Sequence, residues 1–175
     1  MKTRSNEPRG PEEPSSDVAR LVPSDLSAPA AFKQILVPID FSDCSLRALD
    51  YAIALGLSFG AKLTLLHVVE PTPHPQSHLG VTPPLDESNQ TLVEAGRERL
   101  AALGKKRIGT RLRTETLVRM GRAHSEIPDT ASALGADLIV VGTHGYTGLK
   151  HVLLGSTAER IVRHAHCPVL TVRLA

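Results

Sequence analysis

From residue 32 to the C-terminus, short apolar runs alternate with stretches of helical period, and this alternation constrains the fold more than any other feature. Phe32–Asp40 (FKQILVPID) is a short apolar run ending in an acid and reads as a buried strand. Residues 43–59 place Leu46, Leu49, Ile53 and Leu57 on one helical face. Ser42 or Asp43 can cap that helix, and Gly60 can close it. Ala61–Glu70 is a second apolar strand. Residues 86–103 gather Leu92, Val93, Gly96, Leu100 and Leu103 on one helical face, with Gly104 as the expected stop. Thr110–Met120 alternates as a strand with one wetter face does. Ala123–Leu134 reads as a helix. Its Pro128 falls either in the first turn of a helix starting near Ser125 or at a kink. Asp137–Val141 is a third strongly buried strand, Ser156–His164 a helix, and Val169–Arg173 the last strand. Strands alternating with helices imply an α/β fold with a parallel sheet covered on both faces.

Proline marks what lies outside this body. Of 13 prolines, five lie before residue 32 and five between 71 and 84. Proline lacks an amide donor and fixes φ, so regular structure is excluded where it clusters. Residues 1–31, rich in Pro, Ser, Asp and Glu, are expected to form a disordered tail. Residues 32–175 are the folded domain. Aromatic residues make up 3% of the chain and Trp is absent, so the core must be built from Leu, Val, Ile and Ala. A net charge of +2 gives no nucleic-acid surface, and so few aromatics leave little for base stacking. No window approaches the apolar length of a membrane helix, and the N-terminus lacks the apolar core of a secretory signal. Cys44 and Cys167 make no disulfide framework, so a reducing, cytoplasmic setting is expected.

In open α/β sheets, ligands bind beyond the carboxyl ends of the strands, where strand order reverses. Three strand ends carry unusual residues: Pro38-Ile39-Asp40-Phe41-Ser42, His67-Val68-Val69-Glu70, and Gly142-Thr143-His144-Gly145-Tyr146-Thr147-Gly148. Three glycines in seven residues permit positive φ and close backbone approach, so that successive N–H groups can converge on an anion. Gly155-Ser156-Thr157 opens a helix, whose free N–H groups suit phosphate. Asp40 can accept from ribose hydroxyls. The local pattern equally fits a plain turn, with Ser156 capping its helix as the first residue of an S-x-x-E box ending at Glu159.

The chain resembles the universal stress protein family in its ATP-binding branch, which carries the pattern G-x2-G-x9-G-[S/T]. Gly142, Gly145, Gly155 and Ser156 stand at that spacing. The flanking text matches too, from Ala136 to Gly142, from Leu153 to Glu159 and from His164 to Leu170, as does the opening strand Ile35–Asp40 with Ser42. The resemblance covers residues 32–174. It implies a five-stranded, doubly wound sheet in the order 3-2-1-4-5. Pro38 and Ile39 would line the adenine side, Asp40 would meet the ribose, and Val68 would meet adenine partly through its backbone. Gly142, Gly145, Gly155, Ser156 and Thr157 would hold ribose and phosphates, with Val141 packed beneath. The ligand implied is ATP, with or without Mg. The resemblance also implies a homodimer made by the last strand. Such an edge, left without a partner, would be an aggregation hazard.

Other chemistries are weaker. The first turn has no G-x-G-x-x-G, and no P-loop occurs, since Gly155 is followed by Ser156 and not Lys. A phospho-receiver domain would need an acid at the end of the third strand, where Thr114–Met120 has none. His74 and His78, and the group His164, His166 and Cys167, lack a second half at metal spacing. His67 is expected to be a packed core histidine and Cys44 a small buried filler. No catalytic residue and no metal ligand is assigned. The expected function is that of a dimeric, ATP-binding regulatory protein of the stress response. Two others stay open. One is a slow ATPase or self-phosphorylating enzyme with Ser156, Thr157 or Thr147 as acceptor. The other is a dimeric interaction module to which nucleotide is incidental, with specificity in the tail and in loop 71–84.

Overall fold

A computed structural model of the chain describes residues 32–71, 87–143 and 155–174. The expected tail and nearly all of loop 71–84 fall outside the described residues, as do Gly145, Thr147 and His144. The elements are β1 (Gln34–Pro38), α1 (Asp43–Phe59), β2 (Lys62–Val69), α2 (Glu87–Arg107), β3 (Thr114–Met120), α3 (Ala123–Leu134), β4 (Leu138–Gly142), α4 (Ser156–His164) and β5 (Val169–Val172). They build a five-stranded sheet in the order β3-β2-β1-β4-β5, and every pairing is parallel. This is the expected α/β architecture.

The central strands are apolar without interruption because both faces of the sheet are covered. Side chains alternate across a strand. Ile35 and Val37 of β1 therefore join Leu138 and Val140 of β4 in one core, with Ala48, Leu49 and Ala52 of α1 and Leu100 of α2. Leu36, Ile139 and Val141 point the other way, into a second core with Ile127 and Ala131 of α3 and Ile161 of α4. At the sheet centre Ile35, Leu36, Ile139 and Val140 are wholly buried. The third strand is wetter, as its alternation indicated, because it is an edge: Glu115 is exposed and pairs with Lys62 at 2.6 Å.

Helix ends follow local chemistry. Ser42 caps α1, its hydroxyl accepting from the Ser45 amide at 3.2 Å, and Gly60 closes it at φ 67°. One expectation needs correction, and one of two alternatives falls away. The helix expected to stop at Gly104 runs on to Arg107. Gly104 is buried within it, facing Leu65 and Thr116, while Lys105, Lys106 and Arg107 suit the negative end of the helix. The stop is Gly109, at φ 61°, whose amide donates to the Gly104 carbonyl at 3.1 Å. In α3, which begins at Ala123, Pro128 lies past the first turn and is buried. The helix continues to Leu134, closed by Gly135 at φ 60°.

The two glycines of α2 predict opposite mutational effects. A Cβ at Gly104 meets its nearest atom at 3.7 Å, an ordinary contact. Gly104→Ala should therefore stabilise the protein by about 0.5–1 kcal/mol through helix propensity. Gly109→Ala should destabilise it by about 1 kcal/mol, because its backbone is left-handed. Urea unfolding midpoints will separate the two.

Candidate functional site

Strand order reverses between β1 and β4. The chain leaves β1 for α1 on one face, and the chain around β4 connects α3 and α4 on the other. The carboxyl ends of these neighbours therefore part, and a crevice opens between them. A cavity of about 470 Å³ occupies that place. Pro38, Ile39, Asp40, Val68, Val141, Gly142, Gly155, Ser156 and Thr157 all line it. Every site residue expected from the sequence is thus gathered there, except Gly145, which lies outside the described residues. The volume falls in the range of small-molecule and cofactor pockets.

The lining divides by chemistry. Leu66, Ile127, Val141, Ala158 and Ile161 form an apolar floor continuous with the α3–α4 core, and Asp40, Glu70, Thr143, Ser156 and Thr157 supply the polar groups. Asp40 stands at the end of β1, where its Oδ1 accepts from the Ser42 amide at 3.0 Å and the Ser42 hydroxyl at 2.5 Å. The turn that carries it holds Phe41 in a left-handed conformation, φ 64°, which is unfavourable for a bulky L-residue. Packing holds it there. Its ring lies between the His67 imidazole, 4.9 Å away, and the Arg99 guanidinium, 4.0 Å away. His67 in turn donates from Nδ1 to the Ile39 carbonyl at 2.7 Å, which fixes the tautomer, since a carbonyl can only accept. The Ile39 amide donates to the Leu66 carbonyl at 2.7 Å. His67 is therefore the packed histidine expected, and it holds the backbone of a pocket residue.

The start of α4 settles one alternative. The first residue of the S-x-x-E text does not cap the helix. Gly155 is the N-cap, with no side-chain cap bond, and Glu159 pairs with Arg163 at 2.9 Å instead of reaching back. Gly155, Ser156 and Thr157 line the cavity without that box. The Gly155 amide donates to the Thr143 carbonyl at 2.7 Å, which ties the start of α4 to the end of β4. At Gly142 a different need appears. A Cβ there would lie 2.9 Å from both the carbonyl carbon and Sγ of Cys44, so this glycine lets β4 pack on the first turn of α1.

Sequence reasoning missed Ser45, Leu66, Glu70, Ala123, Ile127, Thr143, Ala158 and Ile161 as lining residues. Glu70 was visible as an acid at a strand end. It accepts from the Ala123 amide at 3.4 Å and so places a carboxylate at the start of α3, where Arg122 provides no side-chain cap. Cys44 is a buried filler whose thiol donates to the Val172 carbonyl at 3.3 Å. Burial, and then the Asp137 carboxylate, raise the pKa of Cys167, which disfavours the thiolate. Among the described residues no three His, Cys, Asp or Glu converge on a metal position, and no helix is long and apolar enough to cross a membrane.

Comparison with known proteins gives a consistent result. The family model described as universal stress protein family matches residues 31–173. A universal stress protein of Methanocaldococcus jannaschii is 39% identical over 148 residues, covering 81% of this chain and 82% of that relative. The solved structure of a universal stress protein UspA from Lactobacillus plantarum superimposes with a TM-score of 0.70 at 29% identity, covering 83% of this chain and 100% of the other. Two more distant structures share the fold. One, at 24% identity and TM-score 0.54, is a universal stress protein in complex with cAMP, and covers 82% of this chain and 98% of its own. The other, from Archaeoglobus fulgidus at 22% and 0.56, is in complex with dAMP, and covers 81% and 98%.

The packing of Gly142 predicts a stability effect apart from any ligand. Gly142→Ala should lower stability by about 1–3 kcal/mol in thermal unfolding, as overpacking does. Adding Cys44→Ala should not restore it fully, because the Cys44 carbonyl carbon remains in the way.

Proposed function

This chain belongs to the universal stress protein family, and from that membership and the pocket geometry we propose that it binds ATP in the crevice between β1 and β4. The observation that carries this reading is the gathering of nine of the residues that the resemblance implied, drawn from four chain segments, around one cavity at the strand-order reversal. Pro38, Ile39 and Val68 take the adenine, on the side where the lining is apolar. Asp40 accepts from the ribose hydroxyls. Gly142, Gly145, Gly155, Ser156 and Thr157 hold ribose and phosphates, the start of α4 offering amides and a positive dipole end to the negative chain. Val141 packs beneath. Magnesium, where present, arrives on the phosphates. Relatives of this fold solved with cAMP and dAMP, both adenine monophosphates, support adenine as the base.

The protein so read is a dimeric regulator, and nucleotide occupancy biases its conformation or its partners. β5 is an edge of the sheet, and it carries exposed Leu170, with Val162 and Leu174 exposed nearby. Such an edge is a ready template for a second strand. The carbonyls of Pro168 and Val172 accept from β4, so Val169 and Thr171 turn their backbone groups outward.

Three experiments test this. Nucleotide released from freshly purified protein should be ATP by mass analysis. Ser156→Asp should leave the melting temperature unchanged or raised, since an acid suits the first turn of a helix. The same variant should weaken ATP at least about tenfold in calorimetry, because the added carboxylate opposes phosphate. A variant that binds as well as wild type defeats the reading. For the dimer, Thr171→Pro removes an outward donor without touching the β4 ladder. It should turn a dimer into a monomer in sedimentation velocity.

A further inference from the structure

Beside the pocket runs a second, larger depression, about 830 Å³, between α3 and α4. The two meet at Ser156, which lines both. Their linings differ in kind. The first has an apolar floor, whereas the second is dominated by arginine and histidine side chains. Ser156, Arg160 and His164 follow at intervals of four and so share one face of α4. Arg160 stands one turn beyond Ser156, about 6 Å along the axis.

The charges in this groove are not evenly matched. Arg163 is answered within its own helix by Glu159 at 2.9 Å. Among the described residues no carboxylate holds Arg160. Its Nη1 lies 3.3 Å from Nε2 of His124 on α3. A guanidinium only donates, so the imidazole nitrogen is the accepting side of this contact. The His164 ring is turned back to the Arg160 carbonyl at 2.8 Å. Asp129 on α3 is the opposing charge in the lining. The groove therefore offers a guanidinium, in contact with an imidazole, one turn along the helix from the residues that open the first pocket.

We propose that the groove between α3 and α4 is a second anion subsite, centred on Arg160, which takes the phosphates of a nucleotide beyond the one held at the start of α4. The inference rests on the nucleotide reading of the first pocket. It makes Arg160 a specificity residue that favours nucleoside polyphosphates over monophosphates. Asp129 acts against it. Planar guanidinium suits phosphate oxygens, and one charge-assisted contact at a partly exposed site corresponds to about a tenfold change in affinity.

The test is calorimetry on the full chain with AMP, ATP and inorganic tripolyphosphate. Arg160 and Asp129 are exposed, so Arg160→Gln and Asp129→Asn should fold as wild type. Arg160→Gln should weaken ATP about tenfold and leave AMP within about twofold. Asp129→Asn should tighten ATP about twofold, the scale of a screened surface charge. If Arg160→Gln shifts ATP and AMP by the same factor, or neither, the subsite is overturned while the first pocket stands. If wild type binds neither nucleotide, the pocket reading has failed, and tripolyphosphate decides the groove. Saturable binding lost in Arg160→Gln supports an anion subsite there, and its absence overturns it.

Discussion

Asp137 holds the start of β1 against the start of β4. Its Oδ2 accepts from the Lys33 and Gln34 amides at 2.7 and 2.8 Å, and its own amide donates to the Gln34 carbonyl at 2.8 Å. The ladder between these strands is short, with Ile35 opposite Leu138 and Leu36 opposite Ile139. The carboxylate thus adds two charge-assisted bonds where few backbone bonds are available. Everything at the other end depends on this pairing. Only because β1 and β4 are neighbours, and send their chains to opposite faces, do their far ends part into a crevice. A carboxylate at one end of the sheet fixes the relative placement of Asp40 and Gly142 at the other.

The same layering explains the chemistry of the crevice. Inside the sheet every side chain meets a helix, so polarity there is costly and confined to bonded groups, such as Thr64, whose hydroxyl accepts from Gln34 Nε2 at 2.7 Å. The first positions at which the chain leaves the sheet are also the first where a carboxylate can stand. Asp40 and Glu70 are those positions on β1 and β2. Their backbones are held from behind by packing: Phe41 between His67 and Arg99, and Ile39 through the His67 imidazole. A Cβ at Gly96 would come within 2.8 Å of the His67 ring, so a glycine on α2 makes room for the histidine that anchors the pocket edge.

The fold was legible because periods of 2 and 3.6 are strong signals in strands buried on both faces and in amphipathic helices. The spans of α1 and α4 are those expected, residue for residue. The errors fall where one residue type serves two purposes. Gly104 reads as a stop, yet it is a close-packing residue, and the left-handed stop lies at Gly109. Ser156-x-x-Glu159 reads as a capping box, yet Glu159 has a better partner in Arg163, four residues on. The strand-end site residues were legible because position along a parallel strand maps onto position in the crevice. Ala123 and Ile127 were not, because they reach the pocket from the start of a helix that follows a different strand. The adjacency of α3 to the end of β4 is a property of three dimensions.

The helix starts differ in what caps them among the described residues. An α-helix begins with amides that have no partner in the helix. At α1 the Ser42 hydroxyl takes one of them. At α3, whose own N-cap side chain makes no such bond, Glu70 crosses from β2 to take another. At α4 the N-cap is glycine and, among the described residues, no side chain caps it, although a serine and a threonine follow directly. A glycine N-cap in place of serine costs only about a few tenths of a kcal/mol. Two starts are met by nearby oxygens, and the third faces a cavity lined by Asp40 on its far side and an apolar floor between. The nucleotide we propose would bring a phosphate to that start and its ring and sugar to the apolar floor and Asp40. One helix start thus connects local backbone chemistry to the ligand proposed for the crevice.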